Sequence, residues 1–286
     1  MANYYYLIAG LADVQLDADK LPYSIGAFRE EVVPQLTAED RKLIGLALAD
    51  YDNRNLLALL KKEKAGEELM PDESMQTGIC SIDQLAGVIE SVRNGESDGN
   101  DAPKYMYSFV REYLNDSWHD SAAFVGDRLS QLFYGYALES GNEFVRNWFR
   151  FNLDLNNIQV AITARKHGLQ VQNLIIGDGE VADALRSSGA KDWGLSQSID
   201  YLDRLMRIQE IDDLSARERE VDMIKWNWLE DNTFFHFFTV EKLFAFVVRL
   251  DIVDRWLRLD KDKGQELFRS LIGSLKGEVE IPGEFM

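Results

Sequence analysis

The sequence is short of the residues on which most recognisable sites are built. Its one cysteine, Cys80, cannot form a disulfide within the chain, which fits a reducing compartment. Cys80 sits beside an expected helix start but reads as a lone buried thiol rather than a reactive one. The three histidines, His119, His167 and His236, are far apart and share no metal-ligand spacing. Five prolines in 286 residues leave few forced breaks in helices. No apolar run reaches the roughly 18 residues that a bilayer span requires. The N-terminal MANYYYLIAGLADVQLD has no charged segment of the kind that opens a signal peptide. These absences predict a cytoplasmic protein without direct lipid anchoring.

Positive charge is scarce as well. There are 31 Lys and Arg against 49 Asp and Glu, a net charge of −18. Phosphate backbones and anionic lipids recruit cations, so nucleic acid is not an expected partner. The imbalance is concentrated: residues 1–120 carry 11 basic and 22 acidic side chains, residues 238–286 carry 8 and 9. The N-terminal part is therefore expected to face solvent or a basic partner.

Motifs of chemistry are missing too. No Gly-x-x-x-x-Gly-Lys-Ser/Thr phosphate loop, His-Glu-x-x-His site or Gly-x-Ser-x-Gly elbow occurs. Leu174–Ala182, LIIGDGEVA, has an apolar run and then Gly177-x-Gly179 before a helix, like a truncated dinucleotide loop. Its third glycine is replaced by Ala182, no β-α-β pattern surrounds it, and Asp178-Gly179 is an ordinary turn pair. No cofactor and no metal are expected, and a nucleotide-dependent enzyme is the least favoured reading.

What the chain does have is helix. Hydrophobic residues make up 46% and charged residues 28%, enough for a buried core under a solvated surface. Capping boxes are expected at Thr37–Asp40, Ser81–Gln84 and Ser215–Glu218. Apolar stripes at 3–4 spacing predict helices from Thr37 past Tyr51, from Ser81, over 104–114 and 127–140. The same spacing predicts a long helix over 143–166, then others around 181–186, 198–209, from 215, from Thr239 and over 265–275. Tyr4–Gly10 reads as a short buried extended segment, and residues 63–79 and 94–103 as loops. Nothing alternates apolar and polar long enough to be a strand. The class is all-α with about ten helices, a single helical body over 1–286 with lobes at 1–103, 104–210 and 211–286.

Within it, one short pattern occurs twice. Asp52-Asn53-Arg54-Asn55-Leu56 and Asp154-Leu155-Asn156-Asn157-Ile158 both read Asp-x-x-Asn-aliphatic inside helical segments. Asp and Asn compete for backbone groups and weaken helices, so a polar pair on one helix face needs a reason. The plain reading is a side-chain bond to nearby backbone that fixes the packing of duplicated units; the other is contact with a partner. Arg165 lies three turns beyond Asp154 on nearly the same face. The first copy has Glu63 there instead. The aromatic run from Trp226 to Phe246 reads as core, with an exposed docking surface as the alternative. Arg249, Asp251, Asp254, Arg255 and Arg258 read as i,i+4 pairs on an exposed face.

These residues carry a resemblance. NNIQVAITARKHG, residues 156–168, is similar to the Asn-Ile…Arg helix of the central-stalk socket subunit of V-type and A-type rotary ATPases, present in archaeal-type and eukaryotic enzymes. YDNRNLLALL resembles its earlier copy, and VEKLFAFVVRLDIVDRW its late helix. YYYLIAGLADVQLD, DYLDRLMRIQEIDDL and WNWLEDNTFFHFFTVEKLFAFVVRLDIVDRW resemble an uncharacterised bacterial family encoded among V-type ATPase subunits. The resemblance implies a funnel of three similar helical lobes, a monomer when alone. It would sit between the rotor shaft and the membrane rotor ring, peripheral to the membrane and without catalysis. It implies that Asp52, Asn55, Asp154, Asn157 and Arg165 organise lobes or face the shaft. A free-standing helical adaptor is the alternative.

Overall fold

The computed structural model describes residues 3–278 except 69, 71–74, 76–77, 97–98, 100–101 and 116–121; the side chains of 122–124 and 261–278 are also outside the description. Parts of the two expected loops, and His119, thus lie outside the described residues. Among those described, the chain is all helix with no strand. Twelve α-helices run in order: α1 Tyr5–Ala9, α2 Ile25–Ala27, α3 Ala38–Ala47, α4 Ala49–Lys64, α5 Ile82–Arg93, α6 Lys104–Leu114, α7 Ala122–Leu138, α8 Glu143–His167, α9 Glu180–Ser187, α10 Leu202–Ile208, α11 Leu214–Thr233 and α12 Val240–Glu278.

Local chemistry sets most boundaries. Thr37 accepts from Asp40 N at 3.1 Å and starts α3. Ser81 and Gln84 form a full capping box at α5. Asn142 caps α8 through Val145 N at 3.1 Å, and Gly168 ends it in the left-handed conformation at φ 66°. The third box is corrected: Asp213, not Ser215, caps α11 by accepting from Ala216 N. Tyr4–Gly10 is also corrected, because residues 5–9 form a helical turn with Tyr5 and Tyr6 exposed. The helix expected from Thr37 past Tyr51 is two, α3 and α4, which meet at Leu48, so Asp52 lies inside α4. The helices expected from Thr239 and over 265–275 are one, since α12 continues through Gly264.

Two cores form. The smaller is built by α4–α7 around Leu56, Leu60, Leu85, Met106 and Phe109. The larger gathers α8, α10, α11 and α12 with the N-terminal segment around Phe28, Trp148, Leu155, Leu243 and Phe244. Helices α4 to α8 pack each on the next, while α12 returns across α3, α11 and α8. Polar residues cross these layers. Asp222, 1% exposed, accepts from Trp256 Nε1 at 2.8 Å and pairs with Arg255. Tyr51 of α4 donates to Asp251 of α12. Of the expected surface pairs in α12, only Arg258–Asp254 forms within the helix, at 3.0 Å; Arg249 lies over the Trp226 ring instead.

Candidate functional site

The two Asp-x-x-Asn copies face inward and use opposite members. In α4, Asp52 is 3% exposed, and its Oδ1 and Oδ2 accept from Cys80 N at 3.1 Å and Ile79 N at 3.2 Å. These amides lead into the cap of α5, so one carboxylate sets where that helix begins. Gly78 packs against the same carboxylate, and a Cβ there would fall on it. Burial pushes the Asp52 pKa up to about 7, against the lowering pull of the two amides and of Arg29. Neighbouring Asn53 accepts from the Tyr105 hydroxyl at 2.7 Å and ties α4 to α6. Asn55 is buried and engaged within the protein. Cys80 is a buried thiol raised to about 12, by burial first and then by Asp52.

In α8 the amide takes over. Asn157, 2% exposed, donates from Nδ2 to Ile176 O at 2.8 Å and accepts at Oδ1 from Ile176 N at 3.0 Å. One side chain thus satisfies both backbone groups of a residue before α9. Asp154 is half-buried and receives no hydrogen bond among the described residues. Burial pushes its pKa up to about 6, with Arg150 opposing. Arg165 donates from Nη1 to Lys191 O at 2.7 Å and from Nη2 to Ala190 O at 2.9 Å, and its guanidinium lies 4.0 Å from the Trp193 ring centroid. Trp193 adopts φ 53°, so Arg165 braces a left-handed turn. Glu63, its counterpart in the first copy, pairs with Arg93 of α5. The structure therefore brings Asp52, Asn157 and Arg165 each to a connection beyond its own helix, and spreads the five residues Asp52, Asn55, Asp154, Asn157 and Arg165 over α4 and α8.

The glycine loop is held by its own chain. Arg186 Nη2 donates to Ile175 O at 3.0 Å and Gly177 O at 2.7 Å, and Arg150 Nη1 to Asp178 O at 3.1 Å. Gly177 and Gly179 take φ 75° and 127°, which explains why glycine stands at both.

A second region is a surface that sequence reasoning assigns to the core. The aromatic run splits. Trp226, Phe244 and Phe246 are buried, but Phe234, Phe235 and Phe237 are 68%, 82% and 63% exposed. They occupy the turn between α11 and α12. The N-terminal segment joins this turn: Tyr4 N donates to Phe238 O at 2.7 Å, and the Tyr5 ring stands 4.5 Å from that of Phe238. The signal is present in Phe234-Phe235-His236-Phe237-Phe238. Five consecutive large rings cannot all point one way on any regular backbone.

Next to the turn is an open groove of about 1000 Å³, lined by the first turns of α3, α8 and α12 and by His236. Its acidic side chains are Glu39, Asp40, Glu143 and Glu241. Glu241 is 2% exposed, accepts from Asn142 Nδ2 at 2.7 Å through Oε1, and stands 3.6 Å from His236 Nδ1 through Oε2. Burial raises its pKa, but Thr239, Asn142 and the charge of His236 outweigh that and hold it below the usual carboxylate value. No group of three or more His, Cys, Asp or Glu able to hold a metal occurs among the described residues, and no helix there is long and apolar enough to cross a membrane.

No curated protein and no solved structure matches the chain. A family model does match, over residues 1–279. The chain belongs to the family described as "Protein of unknown function (DUF2764)".

Proposed function

We propose that this chain is a non-catalytic coupling subunit of a V-type ion-translocating ATPase, linking the rotor shaft to the membrane rotor ring. The similarity of residues 51–60, 156–168 and 240–256 to the central-stalk socket subunit supports the reading. The observation that carries it is the use made of those stretches. Asp52, Asn157 and Arg165 each clamp the backbone of a following connection through two hydrogen bonds. Paired bonds from a helix to a loop resist hinge motion, and a body that transmits torque needs stiff connections more than it needs a reaction centre. In this reading the protein is cytoplasmic and peripheral to the membrane, and its partners are the proteins of the shaft and the ring.

The exposed turn of Phe234, Phe235 and Phe237 also favours a second reading, a free-standing helical adaptor, since such rings are common anchors at protein interfaces. Affinity purification of the tagged protein from native membranes in mild detergent, with mass spectrometry, separates the two. Shaft and ring proteins are expected at near-stoichiometric yield. Recovery of the protein alone, with active ATPase left behind, would sink the rotor reading and leave the adaptor.

A further inference from the structure

We propose that the groove between the starts of α3, α8 and α12, with its aromatic rim, docks a basic protein segment that places an arginine against Glu241. This holds for either reading above and does not require the ATPase assignment.

Three helices begin at this groove, and helix starts attract negative charge. That alone accounts for the exposed acids Glu39 and Glu143 in the first turns of α3 and α8. Glu241, in the first turn of α12, differs from them in being buried. This carboxylate is 2% exposed, and its Oε2 is buried without a hydrogen-bond donor. That oxygen keeps an unused acceptor position, which an arriving guanidinium can fill. His236 is too far for a hydrogen bond at 3.6 Å, and its ring, 34% exposed, lines the groove wall beside Thr239 and Phe144.

The rim is joined to the groove by Tyr4. Its hydroxyl donates to Asp40 and accepts from Thr37 N at 3.2 Å, while its backbone N–H holds Phe238 O. The exposed rings therefore sit on a frame fixed to the acidic floor. Phe144, whose ring centroid is 5.7 Å from that of His236, continues the aromatic wall inward.

Charge complementarity selects the occupant. Carboxylates repel phosphate and anionic lipid, and the chain carries a net −18. Aromatic faces beside carboxylates suit a guanidinium, which stacks on rings and donates in a fork, better than an ammonium. A groove of about 1000 Å³ exceeds one side chain and takes a stretch of backbone.

The test uses the full chain and three capped octapeptides, alternating Ala with Arg, Lys or Glu, followed by fluorescence anisotropy at low salt. The arginine peptide is expected to bind more tightly than the lysine peptide, and the glutamate peptide not at all. Glu39→Gln with Glu143→Gln, both exposed, should weaken binding roughly tenfold. Glu67→Gln with Glu68→Gln, exposed elsewhere and equal in charge change, should weaken it less than about twofold. Phe235→Ser, on an exposed ring, should weaken arginine-peptide binding and leave the melting curve unchanged. Hydrogen exchange should show protection over 37–43 and 232–241. Equal losses in the two double variants, no binding of the arginine peptide, or the rim inserting into anionic vesicles would each overturn the proposal.

Discussion

The two copies of Asp-x-x-Asn solve one problem with different chemistry. Each helix must fix the loop that follows it across the layer. Helix α4 does so with a carboxylate that accepts from two amides, and α8 with a carboxamide that both donates and accepts. The carboxylate makes stronger bonds but carries a desolvation cost, visible in an Asp52 pKa near 7. The amide carries no charge and so no pH dependence. Its Asp partner, freed from clamping, is half-buried with a pKa near 6. Identical letters at identical spacing thus hold different roles, because the loop opposite decides which member is used. Two free N–H groups call for an acceptor; one N–H and one carbonyl call for an amide.

The comparison can be broken most forcefully at Gly78. Gly78→Ala puts a methyl on the Asp52 carboxylate and should cost on the order of 4 kcal/mol in urea unfolding. An unchanged midpoint would mean that the α4 clamp is not a packed feature. Next comes pH. The Asp52 pKa rises from 3.8 unfolded to about 7 folded, so folding favours its protonated form. Its contribution is therefore full below about pH 4 and is lost as pH rises through about 7, a swing of up to roughly 4 kcal/mol in the limit and about 2 in practice. Asp154 acts in the same direction between about 4 and 6. Stability measured by denaturant at pH 4.5 and 8 should fall with pH, less steeply in Asp52→Asn, and less again when Asp154→Asn is added. A slope unchanged by both substitutions would contradict this account.

Asn157→Ala should cost about 2 kcal/mol at every pH, since it leaves the half-buried backbone N–H and C=O of Ile176 without their Asn157 partner. A cost that varied with pH would erase the contrast between the clamps. The smallest effect is expected at Arg165→Lys, about 1 kcal/mol or less, because an exposed ammonium keeps the charge but cannot bridge two carbonyls or stack as flatly on Trp193. Hydrogen exchange of residues 190–195 would read it as local opening without a change in global unfolding.

Much of the helical order is legible in the sequence because caps and stripes are local. Thr37 and Ser81 act within one turn, so their effect needs no distant partner. Expectation and structure part where distance matters. The end of α3 at Leu48 has no glycine or proline to mark it. Gly264 has the local character of a break, yet α12 runs on through it. Ser215 meets the capping pattern, but Asp213 lies two residues earlier and takes the same role. The aromatic run misleads for the same reason, since hydrophobic content does not say which side of a turn faces the core.

The sequence by itself determined the class, the absence of a disulfide within the chain, the strong acidity and the paired polar positions in two helices. These follow from composition and from spacing along one chain. Only the tertiary structure decided that Asp52 clamps one loop and Asn157 the other, that Phe234, Phe235 and Phe237 stand in solvent, and that three helix starts share one acidic groove with Glu241 buried in its wall. Each of those depends on which backbone or side-chain group arrives from a distant part of the chain, and that is fixed by packing.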